Sequence, residues 1–286
     1  MYFFLITSIL CSALLFVAFK LFERYKINTF NAIVFNYITA FTMAAIISKG
    51  GIFSVFKNAE WKGISILLGF IFIALFNVMA RSSQEAGVAI TAVANKMSFI
   101  GPILFGVFIL HENFSVLQTA GVFIAIVSVV LTSFSADKKE GDKKFLLPIL
   151  LFCGGVALDT LLSLAQANYV DKGDTLSFTG SVFGMAALIG FLILLFTSIK
   201  SRKIPQKNDV IAGFLLGIPN FLSIYFFLHS LDFGIMDNAQ IFPAFNLSVI
   251  LINTLIGLLL FKEKLRLFNY IGIALAIVSI LLIVFI

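Results

Sequence analysis

The sequence predicts an all-α integral membrane protein of ten transmembrane helices, arranged as two inverted five-helix repeats. Three observations carry this reading. The chain is 60% hydrophobic and 12% charged, with a mean hydropathy of +1.09, far outside the range of soluble domains. Its charges are segregated, leaving apolar runs of about 20 residues, the length a helix needs to cross a hydrocarbon core about 30 Å thick. Finally, Glu112–Leu131 recurs as Glu263–Leu282, an offset of 151 residues (112 to 263). At that offset Glu112 meets Glu263, Gly121 meets Gly272, and Ala125-Ile126-Val127-Ser128 meets Ala276-Ile277-Val278-Ser279. Further back, Gly106 meets Gly257 and Asn95 meets Asn246. Apolar residues coincide easily; a shared Glu, Gly and Asn in one register marks an internal repeat.

Charge-free runs at 1–19, 27–48, 63–80, 113–136, 175–199, 210–231, 238–261 and 267–286 supply eight spans. Segments 86–111 and 145–170 supply two more and carry one charge each, Lys96 and Asp159. Helix 1 ends in a basic turn with Lys20, Arg24 and Lys26; it lacks the basic start and cleavage site of a secretory signal. Helix 2 carries Asn36. The loop after it holds Trp61, suited to the water–lipid interface. Helix 3 contains Asn77 and ends at Arg81. Helix 4 holds Asn95, Lys96 and Pro102, and the proline should kink or break it. Helix 5 follows Glu112. The linker Asp137–Lys144, with seven of its eight residues charged, joins the first repeat (1–136) to the second (145–286). Helix 6 contains Asp159 and Gln166. Helix 7 contains Gly180-x-x-x-Gly184, which lets another helix approach closely. Helix 8 holds Asn220, Tyr225 and His229; helix 9 holds Pro243 and Asn246; the basic stretch Lys262–Arg266 leads into helix 10. Thirty-five Phe supply lipid-facing and packing surface, and Cys11 and Cys153, both inside apolar segments, suggest no disulfide framework.

Fifteen Lys and Arg fall in or beside the odd-numbered loops and four in the even ones. Cytoplasmic loops carry the excess, so the odd loops are expected in the cytoplasm and both termini outside, in the cell (inner) membrane. Each repeat has an odd number of helices, so the second enters from the opposite side. Inverted repeats offer two arrangements of similar energy, one open to each side, around a site near the midplane.

An apolar stretch ending in Glu followed by a helix with a central Gly, twice over, resembles the EamA branch of the drug/metabolite transporter superfamily. Gly106–Leu131, with Glu112 and Gly121, and Gly257–Leu282, with Glu263 and Gly272, carry the likeness. The resemblance implies a secondary transporter, often an exporter of amino acids or other small metabolites. Members often carry Arg in helix 2, where this chain has Asn36, and Pro in helix 4, where Ala92 aligns with Pro243.

Lys96 and Asp159 are the candidate site. At about 1.5 Å per residue they lie roughly 14 and 21 Å from their helix starts. A charge at such depth costs at least about 2.5–3.5 kcal/mol, so it faces a cavity or another charge. A substrate or proton site and a structural ion pair both fit. Asn95 and Asn246, related by the repeat, could line one pocket or fix packing. Asn36, Asn77, Gln166, Tyr225 and His229 are further lining candidates. Glu112 and Glu263, at helix starts, read as caps. No nucleotide-binding loop, metal-ligand pattern or cofactor motif is present, and no enzyme is expected. The expected partners are the bilayer and a small polar metabolite, with or without a proton. Nucleic acid is not among them, and the chain would be a monomer or homodimer. The leading expectation is outward transport of an amino acid by alternating access. A carrier or flippase for a nucleotide- or lipid-linked molecule, and a non-transporting membrane sensor or scaffold, are the alternatives.

Overall fold

A computed structural model describes residues 2–48, 59–108, 115–133, 145–170, 174–202, 204–232 and 238–285. Among them every regular element is helical: α1 (Tyr2–Arg24), α2 (Thr29–Ile47), α3 (Ala59–Glu85), α4a (Val88–Lys96), a 3-10 turn (Met97–Phe99), α4b (Ile100–Phe108), α5 (Val116–Ser133), α6 (Leu146–Tyr169), α7 (Thr175–Ser201), α8 (Lys207–Asp232), α9 (Asn238–Leu259) and α10 (Leu267–Phe285). Counting α4a to α4b as one, the first nine are long and apolar enough to cross a membrane. The tenth, α10, has 19 residues and is about 28 Å long. Large apolar side chains such as Phe70, Phe196 and Leu215 point outward, as a lipid-facing surface requires, while Phe16, Phe19, Tyr37 and Phe183 fill the interior. The Trp61 side chain, Glu112 and the 137–144 linker fall outside the described residues.

Several helices outrun their charge-free stretches. Helix α1 continues through Lys20 to Arg24, and α3 through Arg81 to Glu85. A charged side chain leaves the lipid without breaking helical backbone, so charge marks where a span meets water and not where its helix stops. The breaks have local causes. Lys26, Arg202 and Lys262 adopt left-handed backbone just past α1, α7 and α9. Between α3 and α4a the chain turns at Gly87, with φ of 109°.

The packing pairs follow one rule. Helix α2 packs on α8 and α7 on α3; α1 packs on α8 and α6 on α3; α1 packs on α9 and α6 on α4a. The remaining large contacts join α2 to α7, α4a to α9, and α5 to α10. Exchanging each helix with the one five places away turns this set into itself; the contact of α1 with α3 is the exception, since α6 makes no comparable contact with α8. The α5–α10 contact shows the relation residue by residue. A Cβ on Gly121 would meet Ile283 and the Ser279 carbonyl, and a Cβ on Gly272 would meet Thr132 and the Ser128 carbonyl. These are the same two contacts 151 residues apart, made by helices running antiparallel. Ser279 Oγ donates to Gly121 O at 2.8 Å across that contact.

Glu263 corrects one expectation. It does not cap α10, the helix it precedes. Its carboxylate accepts from Val88 N at 2.7 Å and Ala89 N at 3.3 Å, the first amides of α4a, in the other half of the chain. Arg266 N instead donates to Asn269 Oδ1 at the start of α10. Gly87 and Gly257 make room for the carboxylate, which lies within 3.0 Å of where a Cβ on either would sit.

Candidate functional site

The site begins with a missing hydrogen bond. Pro102 has no N–H to offer the carbonyl of Ser98, four residues earlier, and its ring crowds that carbonyl. The α-helix therefore ends at Lys96 and restarts at Ile100, with Met97–Phe99 as a tight 3-10 turn. Pro102 itself sits in the first turn of α4b, where an amide has no intrahelical partner anyway. The expected break thus lies one turn before the proline, between Lys96 and the proline's own helix.

Two glycines seat this break on α6. A Cβ on Gly155 would stand 2.7 Å from Ser98 Cβ, and a Cβ on Gly101 would stand 2.6 Å from Val156 O. Asp159, one turn beyond Gly155, is thereby brought to the turn, and its Oδ2 lies 2.6 Å from Ser98 Oγ. Ser98 Oγ is also 2.6 Å from the main-chain oxygen of Asn95. Lys96 reaches the other way. Its Nζ stands 4.7 Å from the ring centroid of Phe245 on α9. No nitrogen–oxygen distance between Lys96 and Asp159 is within 4.0 Å; Lys20–Glu23 is the ion pair found among the described residues.

Helices α4a and α9 meet antiparallel, with Lys96 over Phe245 and Phe99 against Phe242. Asn95 and Asn246 therefore flank one crossing. Asn95 is half-buried; Asn246 is 4% exposed, and its Nδ2 has no partner. Asn36 on α2 is fully buried, with neither amide atom bonded. Helix α8 lies directly against it, since a Cβ on Gly217 would be 2.6 Å from Asn36 O. One turn along α8 stands Asn220, also buried with an unbonded Nδ2. An unmet amide in a low-dielectric interior costs about 1–3 kcal/mol, so three such groups are conspicuous.

The other candidates are elsewhere or already engaged. Asn77 turns its Nδ2 onto Ile73 O of its own helix, at 2.7 Å. Gln166 is half-buried on the Asp159 face of α6, two turns further along. His229 Nδ1 lies 3.0 Å from Tyr225 O, and its ring packs on Tyr225 and on Phe4 of α1. Phe227 faces α9 through Phe242 and Phe245, and Tyr225, two positions away, points about 200° around the helix from it. The Tyr225–His229 pair thus packs apart from Lys96 and Asp159. A cavity of about 680 Å³ opens at one end of the bundle beside Asn31, Gln84 and Asp209. Asp209 is tied up there, accepting from Asn28 N, Asn31 Nδ2 and Gln206 N, and fastens the start of α2 to the start of α8.

Sequence reading did not single out Ser98 or Asn220 for the site. Ser98 had one available signal, its place four residues before Pro102 in a segment that also carries Lys96. Asn220 offered only its type; its burial and lack of a partner are tertiary facts.

Comparison with known proteins is consistent with this architecture. Residues 1–134 and, separately, residues 146–285 match the EamA-like transporter family. The chain is 27% identical over 280 residues to an uncharacterized protein of Haemophilus influenzae, across 94% of this chain and 93% of that one. A protein of known crystal structure matches with a TM-score of 0.60 and 16% identity, across 99% of this chain and 96% of its own, and shares the fold.

Proposed function

We propose that this chain, which belongs to the EamA-like transporter family, is a secondary active carrier that exports an amino acid by alternating access. The supporting observation is the pair Lys96 and Asp159. They have opposite charges, come from opposite halves of the chain, and share one interior site without a direct ion pair. A zwitterion fits between them, its carboxylate toward Lys96 and its ammonium toward Asp159. Each charge then gains a charge-assisted hydrogen bond from the substrate. The unbonded amide nitrogen of Asn246, beside Phe245, is a further donor for the carboxylate. The two-fold exchange of packing pairs supports alternating access, because it supplies two arrangements built from equivalent contacts. In this reading the protein sits in the cell membrane with its odd-numbered loops in the cytoplasm.

Counterflow in liposomes tests the proposal. Purified protein is reconstituted and loaded with each standard amino acid in turn, and uptake of the labelled compound is followed. Saturable exchange of at least one amino acid is expected, lost in both Lys96→Met and Asp159→Asn. Exchange of a nucleotide-linked or lipid-linked compound, with none for any amino acid, would overturn the substrate class.

A further inference from the structure

We propose that Asp159 is a proton-binding site: its carboxyl group is protonated in this conformation and donates to Ser98, and the proton is exchanged for the ammonium group of the substrate. The exchange step rests on the amino-acid reading above; the proton site does not.

Counting protons gives the first argument. A serine hydroxyl carries one hydrogen and two lone pairs. Ser98 Oγ makes two contacts of 2.6 Å, to Asn95 O and to Asp159 Oδ2. The Asn95 oxygen is a carbonyl and can only accept. If Ser98 donates to that carbonyl, the contact with Asp159 has no proton unless the carboxyl group brings one. If Ser98 donates to Asp159 instead, the Asn95 contact can only share that hydrogen, and where this structure shares one hydroxyl hydrogen, at Thr132 and at Thr197, the two contacts are 2.8 and 3.0 Å and not both 2.6 Å. Only a protonated Asp159 supplies a proton to each contact.

Lys96 gives the second, independent argument. A carboxylate in an apolar interior draws the nearest cation to it. Lys96 belongs to the same turn, yet its Nζ lies over the Phe245 ring with no Asp159 oxygen within 4.0 Å. A neutral Asp159 leaves Lys96 free to do so. Among the described residues no other titratable group faces this carboxyl. Helix α5, packed on α6, has none between Val116 and Ser133. Helix α3, also packed on it, has Glu60 and Lys62 in its first turn, Glu85 as its last residue and Arg81 exposed four residues before that. Helix α7, which meets the end of α6 through Phe178 and Ala165, has Lys200 in its last turn. On α6 itself, Cys153 is exposed and Tyr169 is the final residue.

Coupling follows from having one carboxyl and two cations. Water on either side delivers a proton to the Asp159 carboxylate. Substrate ammonium binds only the deprotonated form, so the proton leaves to the side the site then faces. One proton moves against one substrate.

The test is the infrared spectrum of the purified protein as a function of pH, because a carboxylic acid and a carboxylate have separate carbonyl bands. The parent is expected to show an acid band, titrating away as pH rises, that is absent from Asp159→Asn. Ser98→Ala fits under Gly155 and removes the acceptor of the acid proton. Losing a hydrogen bond to the protonated form should move that titration down by about one pH unit. Ser98→Cys, a poorer acceptor, should move it the same way and serves if the alanine variant does not fold. Identical spectra for the parent and Asp159→Asn, or an unmoved titration in the Ser98 variants, would overturn the proton site. An amino acid found by counterflow should remove the acid band at saturation; a band unchanged by a bound amino acid would overturn the exchange. If counterflow finds no amino acid, the transport reading fails, while the pH titration still decides the proton site.

Discussion

Lys96 is a half-buried cation whose partner among the described residues is the face of an aromatic ring, a contact worth about 0.5–2 kcal/mol. Removing it should therefore act oppositely on stability and on binding. Lys96→Met keeps the length and removes the charge, so thermal melting in detergent should be unchanged or higher. Binding of the transported amino acid should weaken about 10- to 100-fold, the value of a hydrogen bond to a charged group. Calorimetry and a melting curve on the same sample read both. A lower melting temperature with unchanged affinity would make Lys96 structural. At this scale the sequence was informative where a residue is improbable for its surroundings. Lys96 and Asp159 stood out because charges are rare inside apolar runs. Ser98 did not, because serine is common in membrane helices and its role arises from a break caused by another residue. Asn36 and Asn77 looked alike in sequence, yet one is buried with an unbonded amide and the other is satisfied by its own helix.

Elements meet where glycine allows it, and the two repeat-related glycines make unequal demands. A Cβ on Gly272 would lie 2.6 Å from Thr132 N and 2.8 Å from Ser128 O, both backbone atoms. A Cβ on Gly121 would meet first the Ile283 Cγ1 at 2.8 Å, a side-chain atom near the end of α10 that can move. Gly272→Ala should thus cost about 1–3 kcal/mol by overpacking, and Gly121→Ala distinctly less. Thermal melting of the two variants decides; equal losses would mean that the α5–α10 contact yields as a rigid pair. Glu263 gives a second test. Its carboxylate meets the first amides of α4a, so Glu263→Gln should lower stability by about 1–2 kcal/mol. Hydrogen exchange at Val88 and Ala89 should rise with it. If Glu263 capped only its own helix, exchange would rise near Leu267 instead. The spans themselves were legible because lipid demands long apolar helices. The destination of Glu263 was not, because a carboxylate before a helix reads as that helix's cap until the loop is seen to fold back across the molecule.

For the molecule as a whole, the repeat was visible as a register of 151 residues and returns in the packing, where most helix pairs are exchanged five places apart and α1 on α3 is not. Equivalent helices that run antiparallel, as α5 and α10 do, require equivalent loops at opposite ends of the bundle. Ser115, before α5, and Lys264, before α10, are exposed positions in two such loops. Five spans separate them, α5 to α9, and an odd number of crossings puts them on opposite sides of the membrane. In the orientation we propose from the Lys and Arg excess, the Lys262–Arg266 loop is cytoplasmic. Single cysteines at Ser115 and Lys264, in a background lacking Cys11 and Cys153, should therefore differ toward an impermeant thiol reagent applied to intact cells. Ser115→Cys should react and Lys264→Cys should react only after the cells are opened. The reverse pattern would invert the orientation and leave the fold intact, since the two-fold relation is indifferent to which side is which. Labelling of both in intact cells would be more damaging. One of the five intervening spans would then fail to cross, and the equivalence of the two halves on which alternating access depends would be lost.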